Sequence, residues 1–294
     1  MALTLKPDEK PGKGLRRIAH GRLQKLLNTF SARDMGCDEN VHDARKQVKE
    51  LRCVLRLARD ELGKKAYRRE NQALRDAVRP LADLRDATVL IDTLDELIER
   101  SRGRLKAAPL APFRRNLQAR RQQARTQIIH NKVALARCLQ GSERRIKGYP
   151  ARDGSWKLVR GSMRRIYLRG QTAMRAAHAA RSNEALHEWR KRTNAVRYAL
   201  EILRCRRPKK IRRFTQRAHR LTDILGADHD LAVLSAAAQQ EGGVQAAADA
   251  ALLLSLIAER RLGLQKRAAA IGGKLFSDTG RRFVRELLRG NQDG

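Results

Sequence analysis

The sequence predicts an all-α fold: two helical bundles from an internal duplication, related by a pseudo-two-fold, with a basic cleft or pore between them. Three observations carry this expectation. Apolar residues make up 41% of the chain and are mostly Leu and Ala, whereas aromatics reach 4% and prolines number seven. Those are proportions of helix formers, not of a β protein. Helical periodicity runs almost unbroken from Gly14 to Leu288, and blocks of sequence recur at a near-constant spacing.

In chain order the periodicity predicts helices at 13–32, 39–62, 64–79, 82–101, 111–139, 155–180, 184–206, 208–225, 229–240, 244–271 and 279–289. Breaks are expected at Pro80, at Pro109 with Pro112, at Gly141, at Pro208, and at the pairs Gly242-Gly243 and Gly272-Gly273, because Pro and Gly interrupt helices. The stretch 141–155 holds three glycines and Pro150 without helical spacing, so it reads as a linker. It divides the chain into an N-terminal tail (1–12), a first half (13–140) and a second half (156–290).

The halves resemble each other. His42-Asp43-Ala44-Arg45-Lys46 is answered by His187-Glu188-Trp189-Arg190-Lys191 at an offset of 145, and Arg52 and Leu55 by Arg197 and Leu200. Leu81, Asp86, Val89 and Leu90 are answered by Leu225, Asp230, Val233 and Leu234, the Asp pair at 144. Arg68-Arg69 and Gln72 match Arg212-Arg213 and Gln216, and Arg16-Arg17-Ile18 matches Arg164-Arg165-Ile166. Four blocks at nearly one offset point to duplication.

The helix at 39–62 carries the chemistry. At 100° per residue, Val41, Ala44, Val48, Leu51, Leu55, Ala58 and Leu62 form a bundle-core seam, with steps of three and four. His42, Arg45, Lys46, Lys49, Arg52, Arg56 and Arg59 form a stripe beside it, and Asp43, Glu50 and Glu61 fall opposite. A solvated face gains by mixing charge signs at i,i+4; this one sets like charges a turn apart, and a polyanion lying along it would compensate. The second copy repeats the design, with Leu186, Trp189, Thr193, Val196, Leu200 and Leu203 in the seam and His187, Arg190, Lys191, Arg197 and Arg204 on its flank. Asn194 stands where Lys49 does and Glu201 where Arg56 does, so the second stripe is expected to hold anions less strongly.

Lys and Arg number 65 against 31 Asp and Glu, a formal net charge of +34. Such a balance calls for a polyanionic partner, whether nucleic acid, an anionic surface or another polyphosphorylated polymer. No run is apolar and long enough to span a bilayer. Cys37, Cys53, Cys138 and Cys205 form no CxxC and read as reduced thiols in a cytoplasmic protein. His187-Glu188 is not a zincin signature, since Lys191 stands where the second His belongs, and no P-loop is present. Asp86 and Asp230 read as partners of stripe arginines, with Asp83 and Asp228 similar. The expectation is therefore a non-enzyme with no cofactor and no metal site. Nucleic-acid binding is the alternative function, resting on charge alone, because aromatics are too sparse for a stacking platform.

A helix reading His-x-x-Arg-Lys-x-x-x-x-x-Arg-x-x-Leu, repeated and followed each time by Leu-x-x-x-x-Asp-x-x-Val-Leu, resembles the CHAD domain, the conserved-histidine α-helical domain. The resemblance covers about residues 13–290. It implies binding of inorganic polyphosphate and association with polyphosphate granules. The residues that fit its motifs are His42, Arg45, Lys46 and Arg52, then His187, Arg190, Lys191 and Arg197. With the stripe members Lys49 and Arg56 and the duplicated pairs Arg16-Arg17, Arg68-Arg69, Arg164-Arg165 and Arg212-Arg213, they make the expected anion-binding set. The triphosphate-tunnel signature Glu-x-Glu-x-Lys, which some relatives carry ahead of the domain, is absent from the sequence, so a stand-alone binding module is expected.

Overall fold

The structure, a computed structural model, describes residues 3–148, 156–240, 244 and 246–288. Among them are eleven helices and no strand. The first half holds α1 (Pro11–Ser31), α2 (Asp38–Leu57), the single turn α3 (Arg59–Leu62), α4 (Lys64–Val78), α5 (Leu81–Arg100) and α6 (Ala107–Gly148). The second holds α7 (Trp156–Ala180), α8 (Asn183–Ile202), α9 (Pro208–Gln239), α10 (Ala247–Leu275) and α11 (Gly280–Leu288).

Local chemistry sets most of the ends. Pro11 and Pro208 open α1 and α9, where a missing N–H costs nothing. The Sγ of Cys37 accepts from the Asn40 N–H to cap α2, and the Ser182 hydroxyl caps α8 by accepting from the Ala185 N–H. Gly63, at φ +80°, separates α3 from α4.

Four expected boundaries differ in the structure. The linker expected from residue 141 is helical through Gly148, and residues 149–155 lie outside the described set. Leu135, Leu139, Ser142 and Ile146 are buried along one side of α6, and Arg145 donates to Glu70 of α4 at 2.7 Å. These contacts outweigh the cost of about 1 kcal/mol for Gly141 in a helix. The breaks expected at Pro109 and Pro112 fall inside the start of α6. The helices expected at 208–225 and 229–240 are one helix, α9, with Leu225, Gly226, Asp228 and Leu231 buried along its middle. The pair Gly242-Gly243 lies outside the described residues. Helix α10 runs through Gly272-Gly273 to Leu275.

Residues 3–12 pack rather than trail. Leu5 is buried and its N–H bonds the Ile202 carbonyl at 2.9 Å, and Arg17 holds Glu9 at 2.7 Å. Hydrophobic side chains form two clusters, and each draws on both halves of the chain. The larger joins α1, α2 and α4 to α7, α8 and α11. The smaller joins α5 and the start of α6 to the later part of α9 and to α10. The core therefore does not divide at the chain midpoint.

Helices α2 and α8 pack centrally, with the Cys53 thiol 3.4 Å from the Ala195 carbonyl oxygen. This position explains a further correction. Glu50, expected on the outer side of α2, is buried against Arg22 of α1 at 2.9 Å. Cys53, Val54 and Leu57, which lie off the expected seam, are buried as well.

Candidate functional site

A cavity of about 590 Å³ opens between four helices, α2, α5, α8 and α9. From α2 it receives His42, Arg45, Lys46 and Lys49, which recur at steps of three and four and so share one side of the helix. From α8 it receives His187, Arg190, Lys191, Asn194, Arg197 and Tyr198 by the same spacing. Arg85, Asp86 and Val89 enter from α5, and His219, Asp223, His229, Asp230 and Val233 from α9. Seven Lys and Arg side chains thus face three carboxylates across one concave wall.

The electrostatics record that crowding. Lys49 reaches water, yet the wall encloses it on several sides. Confinement first, then Arg45, Arg190, Arg197 and Arg85, push its ammonium down to about 8. Arg45 is lowered as well, chiefly by burial and partly offset by Asp86. Asp86 and Asp230 are raised by burial, against the pull of Arg45 and Arg190 respectively. Arg190 stands 3.7 Å from Asp230. The aspartates thus sit beside stripe arginines, and partial neutralisation there holds a like-charged wall together. Asp228 differs from that expectation: it is buried away from the cavity, bonded to Arg261 and Gln265 of α10 at 3.0 and 2.9 Å.

Four histidines line the wall. The rings of His187 and His229 lie 4.4 Å apart. Burial and the cations around them push both down to about 4, so both are neutral at pH 7. His42 is lowered in the same sense by burial, Arg85 and Lys49. The His187 Nδ1 is buried without a hydrogen-bond partner among the described residues.

The remaining expected residues are placed elsewhere. The stripe begun by His42 does not continue as one surface. Arg52 donates to Asn71 at 2.9 Å, and burial followed by Arg56 lowers it to about 10. Arg56 and Arg165 line a separate concavity. Arg17 is bound to Glu9 and the Thr4 carbonyl, and Arg69 to Glu70. Arg16, Arg68, Arg164, Arg212 and Arg213 are exposed and line neither space. Glu201 approaches Arg197 at 3.9 Å and also stays off the cavity wall, so of the two departures in the second stripe only Asn194 alters the cavity.

Arg85, His219, His229 and Asp223 were not anticipated. One signal for two of them was present: Arg85 and His229 directly precede Asp86 and Asp230 in the repeated motif. His219 and Asp223 bond each other at 2.7 Å and have no such sequence marker. No group of three or more His, Cys, Asp or Glu among the described residues is arranged to hold a metal ion. No helix among them is long and apolar enough to cross a membrane.

No curated protein matches the chain. The fold is similar to the crystal structure of the CHAD domain from the plant Ricinus communis, with a TM-score of 0.64 at 19% identity, over 98% of this chain and 95% of that one. The family model of the CHAD domain matches residues 18–239, a span that takes in every residue of the cavity wall, and by that match the chain belongs to the CHAD family.

Proposed function

We propose that the protein binds inorganic polyphosphate in this cavity without catalysis and associates with cytoplasmic polyphosphate granules. The observation that carries the reading is the cavity wall itself: seven Lys and Arg from three helices, α2, α5 and α8, against three carboxylates. Guanidinium groups supply paired donors to phosphate oxygens and ammonium groups supply point charges. The like-charge cost within the wall is relieved when a polyanion enters. A flexible polymer can follow a concave wall, whereas duplex DNA, stiff over about 150 base pairs, cannot bend into one.

A competition assay tests this. Labelled polyphosphate is displaced by unlabelled polyphosphate, duplex DNA and RNA at equal phosphate concentration and fixed salt. Polyphosphate is expected to displace best, with affinity falling steeply as salt rises, as counterion release gives for nucleic acids. Equal displacement by DNA would return the nucleic-acid reading.

The pH response has a defined sign. His187 and His229 are neutral in the empty cavity, and a bound polyanion favours their charged forms. Binding therefore takes up protons, and affinity rises as pH falls from about 6.5, the reference for His, toward the value of about 4 in the empty protein. Lys49 acts at the other end. Above about 8 it loses its charge in the empty protein, so binding must reprotonate it and affinity falls with rising pH. His187→Gln with His229→Gln should flatten the acid limb only, measured by calorimetry in buffers of different ionisation enthalpy.

Matched truncations test asymmetry between the two stripes. Lys49 faces the cavity where its counterpart is Asn194. Lys49→Ala should therefore cost several-fold more affinity than Asn194→Ala in the same titration.

A further inference from the structure

A separate concavity is lined by residues of α2, α3, α4, α7 and α8. Its wall includes Arg56 of α2, Arg59 of α3, Arg165 and Arg169 of α7, and Arg192 of α8. Ala195, whose carbonyl oxygen meets the Cys53 thiol, lines this space, and no residue lines both it and the cavity. At about 20 Å³ it is far smaller than the cavity. That volume exceeds the roughly 10–15 Å³ needed for one water, so it admits one small group and not a polymer strand.

The charge here is poorly compensated. Arg165 is held by Asp60 at 2.6 Å and by the Ser162 hydroxyl at 2.8 Å. Arg192 is held by Glu188 at 2.6 Å. Arg56, Arg59 and Arg169 have no carboxylate within 4 Å among the described residues, and Arg59 lies over the Tyr67 ring at 5.4 Å. Arg169 is lowered by burial, then by Arg192, Arg59 and Arg56, so the guanidinium groups act on one another. Four helices converge five arginines on one small space.

We propose that this arginine cluster is a second anion site, separate from the cavity, that takes a single phosphoryl dianion. Guanidinium forks match the oxygens of such a group in paired geometry. Three guanidinium groups without carboxylate partners, Arg56, Arg59 and Arg169, are better compensated by a dianion than by the single charge of an internal polymer phosphate. The dianion is either free orthophosphate or the end group of a phosphate chain.

The experiment titrates inorganic phosphate into the full chain, by calorimetry and by the ³¹P shift. The wild type is compared with Arg56→Ala/Arg169→Ala and with the cavity variant Lys49→Ala/Lys191→Ala. Loss of phosphate affinity by tenfold or more in the first variant, and a smaller loss in the second, is expected. Unchanged phosphate affinity in Arg56→Ala/Arg169→Ala, or a loss confined to the cavity variant, would overturn the proposal. Helix content by circular dichroism accompanies each titration, and Arg56→Lys/Arg169→Lys, which keeps the charge without the fork, should recover only part of the affinity. Selective displacement of phosphate by the unblocked polymer assigns the site to the end group, displacement by neither polymer assigns it to the free anion, and displacement from the arginines by an end-blocked polymer as strong as by an unblocked one would overturn the proposal. Polyphosphate affinity measured in parallel separates this proposal from the cavity reading: tight polymer binding with no phosphate binding at the arginines sinks only the former.

Discussion

Reversing Lys46, Lys49 and Lys191 together to Glu is expected to abolish polyphosphate binding while the helix content is unchanged. All three line the cavity and reach solvent, so their replacement removes no core packing. Each charged hydrogen bond is worth about 1.5–3 kcal/mol, so three lost contacts put the affinity down by roughly a thousandfold or more. The choice of residues follows from the structure. The motif alone pointed to Arg45, Lys46 and Arg52, but Arg52 bonds Asn71 outside the cavity and Arg45 sits beside Asp86. Reversal at those two positions would disturb folding and binding at once. Arg52→Gln, by contrast, should leave affinity within about twofold. A folded Lys46/Lys49/Lys191 triple variant with wild-type affinity would remove the cavity from the binding reading.

The neighbouring glycines of α10 should respond with opposite signs. A Cβ placed on Gly272 would stand 2.4 Å from a ring carbon of Trp189, which is buried beneath it in α8. Gly272→Ala must therefore displace a packed indole, and overpacking of this kind costs about 1–3 kcal/mol. A Cβ on Gly273 meets nothing within 4 Å. Gly273→Ala should stabilise by about 0.5–1 kcal/mol, the helix-interior difference between the two residues. Urea titrations of both variants, read by circular dichroism, decide the matter, and equal effects at the two positions would contradict the packing described. Because Trp189 lies between His187 and Arg190 in sequence, Gly272→Ala should also weaken polyphosphate binding.

Those glycines show what periodicity can and cannot read. Gly272-Gly273 looks like a helix stop, since Gly is costly inside a helix. The helix runs on because one of the pair makes room for an indole from a different helix, a partner distant in sequence. Gly141 is carried through in the same way by the contacts of Ile146 and Arg145 with other helices. The seams of α2 and α8 were legible because an apolar stripe at steps of three and four has one physical meaning, burial against a neighbour. Leu186, Trp189, Thr193, Val196, Leu200 and Leu203 are indeed all buried.

By itself, then, the sequence determined the helical class, the two packed seams, the basic character, and the paired histidine and aspartate motifs that mark α2, α5, α8 and α9. The tertiary structure alone decided where the basic stripe goes. A helix rises 1.5 Å per residue, so the run from His42 to Arg59 is about 25 Å long, and α2 ends at Leu57, before that run is complete. Its first four members face a cavity, Arg52 is tied to α4, and Arg56 joins Arg59 at a different set of arginines. Angular position on a helix says which residues share a side. Which neighbour covers each length of that side depends on how separate helices dock, and that is fixed by packing between residues far apart in the chain.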